Sequence, residues 1–475
     1  MNTERRTEYL WRQIFRHLWL FFDRKGVASV DRSLVVFGPY AHMTSLREPV
    51  IAIPSDIPYS IVADDAYKVP FNETHLTVWN RLAPPTGNGW HALPSEATPL
   101  WYVHDSGTHL PAWNLFGNLF GLLTFQEERE LSVRDRHGRF TGTCSPRAER
   151  GLLEVPAFNE AVAVLAAACV GLRRSGRATF SLDGLVKPPA VILSHDCDIL
   201  LGNDRWTQAV RAARIVLPLF KMRPPHLVNV WWILRNYVRP RDYYFDNVPG
   251  MINLERQFGF RSTFYVLNGT SGRFGARSGS RILPELVSAI PPEWPTGIHY
   301  NYDTFLNASR FAKQKQELTT LLDHVPLLGR AHYLRFDAER SPAFLATHGL
   351  PCDESAGFSD RIGYRCGTAG CFQPYDFSAE SAVDLLEIPM VIMEDTLQLQ
   401  HGDKAFAVFE KMLLHLGRVG GALSLNVHPG VFHNPEIPRM LGFYHRLLCV
   451  CRDCGARGMS ASALIDSLPP DLRTR

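Results

Sequence analysis

The sequence predicts an α/β protein in which a parallel sheet or barrel follows a smaller region of mixed α/β character. From about residue 190 onward, short apolar runs alternate with segments of helical periodicity, the pattern of strands joined by crossover helices. The first of these runs, Val191 to Leu193, leads straight into Ser194, His195, Asp196 and Asp198, so polar groups that are costly to bury sit where a buried strand ends. The length of 475 residues, with 45% hydrophobic and 20% charged residues, suits two globular domains with a substantial core.

Residues 1–180 form the first predicted domain. Apolar positions at helical spacing mark Thr7 to Asp23 as a helix, and Leu34 to Phe37 and Val50 to Ile53 read as strands. Proline-rich loops are expected between Pro70 and Pro99. Trp113 to Glu130 carries Leu and Phe at helical spacing, interrupted by Gly117 and Gly121. The polar, Gly-broken DRHGRF of Asp135 to Phe140 reads as a solvated turn, with a binding loop as the alternative. Ala161 to Leu172 is an apolar run of 12 residues, a buried helix and not a membrane span, which needs roughly 20. From Gly171 to Pro189 the composition turns basic and proline-rich, and this sets the boundary at about residue 180.

Residues 181–475 form the second domain. After the strand at Val191, Thr207 to Phe220 is an amphipathic helix, Trp231 to Asp246 an aromatic-rich insertion and Met251 to Phe258 a further helix. Ser262 to Leu267 is the next strand, and a Gly/Ser/Arg loop runs from it through Ser280. More strands are expected near Gly297, His332, Ile362, Leu386 and Ala422. Helices are expected at Ala312 to His324, Ser378 to Leu385 and Ala405 to Leu416.

A net charge of +3, with neither a basic tail nor a basic stripe with interleaved aromatics expected, is too small to argue for nucleic acid or a membrane surface as a partner. The longest N-terminal apolar run, Leu18 to Phe22, is too short for a signal segment, so a membrane role would be peripheral. Nine cysteines, an odd count in a large chain, point to reduced thiols in a cytoplasmic protein. The CxxC at Cys451 to Cys454 has only Cys366 and Cys371 as a partner pair, and ordinary thiols are the simpler reading.

In parallel α/β folds the chemistry gathers at the carboxyl ends of the strands. There the chain offers SHDCD at Ser194 to Asp198, TGIHYNYD at Thr296 to Asp303, GRAHYLRF at Gly329 to Phe336, GYRCGT at Gly363 to Thr368 and LSLNVH at Leu423 to His428. His299 and Asp303 are four apart. If a helical turn follows the strand, they share one face with Cβ atoms about 5–6 Å apart. Together with a carboxylate from Asp196 or Asp198 they make a facial set of three ligands that leaves room for water and substrate.

The ordered motifs SHDCD, STFYV, GIHYNYD, GRAHYLRF and LNVH, between Pro188 and Leu441, resemble those of the polysaccharide deacetylase family, the NodB-type carbohydrate esterases. FGNLFGLLT followed by DRHGRF looks like the uncharacterised region that precedes such barrels in one bacterial subgroup. The resemblance implies a distorted (β/α)7 barrel that hydrolyses acyl groups on sugars with a divalent metal. It implies Asp196 as catalytic base, Arg330 (with Arg335 as a second option) orienting that base, and His428 as general acid. Asp198, His299 and Asp303 would be the metal ligands. Cys197 between the two aspartates leaves their roles open to exchange, and Asp303 stands where the family has a second histidine. The family's Trp-containing motif is absent, and Asp353, Asp360 and Arg365 occupy that region. Tyr302 and Arg365 are the candidate substrate contacts.

The expected function is metal-dependent hydrolysis of an N-acyl group, N-acetyl first, on an amino-sugar derivative of surface polysaccharide synthesis. Zn²⁺ is the leading cofactor, with Mn, Co, Fe or Ni as alternatives. The expected partner is an amino-sugar or glycan substrate, with no integral membrane segment, and the oligomeric state is left open. Two other readings stand beside this one: a non-catalytic glycan-binding protein on a degenerate barrel, and an amidase of the same fold acting on a non-sugar substrate such as a ureide. Trp231, Trp232 and Tyr302 would suit stacking on a sugar ring.

Overall fold

The structure, a computed structural model, describes all residues except 1–2, 60–64, 183, 199–204, 221, 223, 225–226, 239–246, 277–281, 433–439 and 474–475. The tail of the predicted aromatic insertion, 239–246, and the end of the Gly/Ser/Arg loop lie outside the described residues.

The N-terminal region is built on α1 (Thr3–Phe21), whose Leu10, Ile14 and Leu18 repeat at helical spacing and are fully buried. Its sheet joins β1 (Val35–Gly38), β2 (Ile51–Pro54), β3 (Trp90–Leu93), β4 (Trp101–His104) and β5 (His109–Pro111) in the order β1-β2-β5-β4-β3. The stretch expected to be proline-rich loops therefore holds β3, and also a hairpin pairing Tyr67–Phe71 with Thr74–Val78. The glycine-interrupted run is two helices, Leu115–Leu123 (α2) and Gln126–Glu130, broken where Phe125 takes a left-handed φ of 53°. The predicted buried helix is α3 (Ala157–Ser175), buried from Ala157 through Leu172.

The second region carries β6 (Ala190–Cys197), α4 (Arg205–Phe220), α5 (Val228–Val238), α6 (Asn247–Gln257), β7 (Thr263–Val266), α7 (Leu283–Ala289), β8 (Thr296–Tyr300), α8 (Ala308–Leu322), β9 (Leu328–Ala331), α9 (Ser341–Thr347) and β10 (Cys352–Asp353). It continues with β11 (Leu386–Glu387), β12 (Ile392–Met393), α10 (Glu394–His401), α11 (Ala405–Val419), β13 (Ala422–Asn426), α12 (Met440–Asp453) and β14 (Arg457–Met459). The strands run β11-β10-β9-β8-β7-β6-β13-β12, all parallel, with β14 beside the start of β6. Sequence order and spatial order thus agree around a ring that is open only between β11 and β12. This is the expected α/β barrel, distorted at the seam, where β10, β11 and β12 are two residues each.

Two local expectations fail. No strand forms near Ile362. Ser378 to Leu385 is not a helix: Asp376 accepts hydrogen bonds from the amides of Ser378 and Ala379, and this side-chain turn folds Tyr375–Asp376 back onto Ser381–Ala382 as a hairpin.

The two regions share one continuous core, with α1 and α3 packed into the same cluster as the barrel strands. Two buried ion pairs lie along the join. Arg147 pairs with Glu127 at 2.6 Å and donates to the carbonyls of Tyr364 and Arg365; Arg365 pairs with Glu128 at 2.7 Å.

Candidate active site

The period of two along a strand decides what β6 presents. Ser194 and Asp196 point to one side, and His195 and Cys197 to the other. On the outer side His195 Nε2 lies 2.6 Å from Glu255 Oε1 of α6, and Ser262, Trp294 and Tyr444 donate to the same carboxylate. Cys197 is core. On the inner side Arg330, from the end of β9, donates to Asp196 Oδ1 at 2.9 Å, to Ser194 Oγ at 2.8 Å and to Glu354 Oε2. The intervening cysteine therefore puts both aspartates of the motif on the same side of the strand. Arg335, the other option, instead lies over the Tyr302 ring and donates to the Tyr302 carbonyl.

Asp196 is the electrostatic centre. Asn426, the last residue of β13, donates to its Oδ2 at 2.9 Å, and the Nε2 atoms of His299 and His428 lie 3.9 and 3.8 Å from the same oxygen. Burial works to raise its pKa, but the Arg330 guanidinium, helped by His299 and His428, holds the carboxyl well below the usual carboxylate range. Asp196 is therefore an anion throughout the working pH range.

Asp198, His299 and His332 form a second group, whose ligand atoms all lie within 4.8 Å of one another. The imidazoles of His299 and His332 stack with centroids 5.0 Å apart. Burial lowers both their pKa values to about 4, so both rings are neutral at pH 7, as metal ligation requires. His299 Nδ1 faces the Arg330 carbonyl at 3.1 Å; a carbonyl only accepts, so Nδ1 carries the proton and Nε2 the lone pair. His332 Nδ1 is buried without a hydrogen-bond partner. Two neutral histidines and one carboxylate fit a divalent cation of the zinc or iron class.

Asp303, expected as the third ligand, is not in this group. His299 still belongs to β8, Asn301 caps the turn that follows, and only Tyr302 to Thr304 are helical, so the helical period never links positions 299 and 303. Asp303 instead accepts from Ser271 at 2.7 Å, Asn301 at 2.9 Å and Arg310 at 2.8 Å. His332 takes the place beside His299. Its sequence signal was the motif GRAHYLRF itself: in an extended chain His332 lies two positions past Arg330 and so faces the same way.

His428 follows β13. Its Nδ1 lies 2.8 Å from Glu394 Oε1, at the first residue of α10. Burial opposes its charge, yet Glu394, with Asp198 and Asp196 nearby, pushes its pKa well above the ordinary value. Glu394 has no signature of its own in the sequence.

These groups line a cavity of about 330 Å³ with Arg139, Arg273, Phe274, Tyr333 and Asp395. Arg139 comes from the DRHGRF loop of the N-terminal region, held by Asp135 at 2.7 Å and by the Tyr333 carbonyl. Tyr302 packs beside this wall, with His137 Nδ1 3.3 Å from its hydroxyl. Arg365 does not reach the cavity: it is 2% exposed and its guanidinium is bound in bidentate fashion by Glu128, which makes it a tie between the two regions rather than a substrate contact. A larger cavity, about 750 Å³, lies at the other end of the strands against Trp294, Leu328 and Cys352, away from these residues.

No protein-family model and no curated protein matches the sequence. Among solved structures, a protein described as a polysaccharide deacetylase from Mycobacterium smegmatis is similar over 60% of this chain and 90% of its own, at 15% identity and a TM-score of 0.36. Puue allantoinase aligns over 59% and 90% at 12% identity and 0.38. A family 4 carbohydrate esterase from Streptomyces lividans aligns over 57% and 91% at 12% identity and 0.28. In these comparisons the chain is similar to polysaccharide deacetylases and to a family 4 carbohydrate esterase.

Proposed function

We propose that the chain is a metal-dependent hydrolase that removes an N-acyl group, N-acetyl first, from an amino-sugar derivative. One observation carries the reading: an ionised Asp196 held by Arg330 stands between a three-ligand group, Asp198/His299/His332, and a cationic His428, all facing one cavity.

Asp198, His299 and His332 would hold the cation, with zinc the first candidate. When bound, the cation supplies Lewis-acid polarisation of the acyl carbonyl and acidifies water. Asp196 accepts the proton of the attacking water through Oδ2, the oxygen that faces both histidines. Arg330 and Asn426 fix the carboxylate in one orientation. Protonated His428 donates from Nε2 to the departing amine nitrogen, and Glu394 keeps that proton on the ring until it is needed. Phe274 and Tyr333 offer the apolar faces on which a sugar ring packs. Nine free cysteines support a reducing, cytoplasmic setting.

The test is release of free amine from N-acylated amino sugars by protein loaded with Zn²⁺, Mn²⁺ or Co²⁺, with Asp196→Asn and His332→Ala alongside. Turnover that survives both substitutions, or its absence with every cation and acyl sugar tried, rejects the reading.

A further inference from the structure

The crossover that follows Asp198 contains a helical hairpin, α4 packed against α5. Its inner side is closed: Trp232 is fully buried, and the Arg211 guanidinium lies 4.9 Å from its ring centre. The outer side is not covered by any described residue. Of the seventeen exposed large hydrophobic side chains among the described residues, ten fall between Val216 and Leu234, and Phe220 and Met222, where the two helices meet, are 81% and 97% exposed. Apolar surface this concentrated marks an interaction site.

Charge indicates what covers it. From Arg205 to Arg241 the sequence has eight Arg or Lys and no Asp or Glu, although the chain as a whole is nearly neutral. We infer that the hairpin is an interfacial membrane-binding element. Val216, Leu217, Leu219, Phe220, Met222 and Leu227 enter the boundary between headgroups and acyl chains, and the excess positive charge of the stretch favours an anionic lipid surface. The helices, 16 and 11 residues, fall short of the roughly 20 that span a bilayer, and no described helix is long and apolar enough to cross one. The hairpin therefore lies in the membrane surface. A second copy of the chain is a poor occupant, because two such hairpins face to face would set cation against cation with no carboxylate in either to offset them.

The inference itself does not depend on the hydrolase reading, and its test uses no substrate. Full-length protein is sedimented with vesicles of phosphatidylcholine containing phosphatidylglycerol, and with vesicles of phosphatidylcholine alone. Wild type is expected to pellet with the anionic vesicles and to be released by high salt. The double variant Leu217→Ser/Phe220→Ser is expected to bind at least ~10-fold more weakly, since each exposed side chain contributes about that factor when buried in lipid. Because both side chains are exposed, its thermal melt should match wild type. Wild type remaining in the supernatant with both vesicle types overturns the proposal, as does equal pelleting of the double variant. A wild-type dimer that the double variant loses, without vesicle binding, also overturns it and assigns the face to self-association.

Discussion

Arg330 and Asp196 form a buried ion pair at 2.9 Å, with side chains 0% and 6% exposed, and the same guanidinium also binds Glu354. One cation thus neutralises two carboxylates beneath the candidate site. Burial pushes the Glu354 carboxyl up, and Arg330 is the chief opposing influence. Removing the cation leaves both acids uncompensated. Arg330→Met should therefore lose roughly 3–5 kcal/mol of stability, the usual penalty for breaking a buried pair on one side. Arg330→Met combined with Glu354→Gln should recover part of it. Urea denaturation of the three proteins measures this, and a single variant as stable as wild type would show that the pair does not hold the fold.

The choice between His332 and Asp303 as ligand is open to direct measurement. His332→Ala should weaken zinc binding by more than the ~10–100-fold typical of outer-shell substitutions. Asp303→Asn should leave affinity close to wild type, because its partners are Ser271, Asn301 and Arg310. Titration calorimetry with Zn²⁺ separates them, and the opposite ranking would restore Asp303 to the site.

Glu394 raises the pKa of His428, so Glu394→Gln should lower it. If His428 is the proton donor, activity falls as pH rises through its pKa. The alkaline limb of the pH–rate profile should then move to lower pH in Glu394→Gln, with the acidic limb unmoved. Asp196→Asn should cost on the order of 10²–10⁴-fold in rate at every pH. Profiles of the metal-loaded proteins, with the substrate that supports turnover, provide the readout.

His17 gives a pH dependence of stability that is independent of catalysis. Burial against Phe21, Phe22 and Phe158 lowers its pKa from 6.5 to about 3. Between those values the unfolded chain binds a proton that the folded chain excludes, so stability rises with pH across the window and is lost as pH falls below 6.5. From pH 6.5 to about pH 5 this single group should remove about 2 kcal/mol. His17→Phe should flatten that part of the slope in melts recorded across the range, whereas an unchanged slope would locate the acid sensitivity elsewhere.

Within single elements, the sequence was enough. The polar run Ser194 to Asp198 at the end of a buried strand singled out Asp196, and the order of the strand-end motifs carried the resemblance that implied Arg330 and His428; in the structure Asp196 and His428 line one cavity, and the fully buried Arg330 donates to Asp196. Alternating strands and helices likewise predicted a parallel sheet or barrel, since local hydrophobic pattern selects that class of architecture, and the resemblance narrowed it to the barrel. What depended on how elements meet was decided only by the tertiary structure. The turn after Tyr300 is extended before it is helical, and this removes Asp303 from His299 and leaves room for His332 from the next strand. Arg365 is drawn into the join between the regions because Glu128, 237 residues away in the chain, supplies a matching carboxylate in a buried setting. Glu394 reaches His428 only because β12 and β13 are neighbours. Side-chain periodicity is a property of one segment, whereas the pairing of charges across segments follows from packing, and no local pattern encodes it.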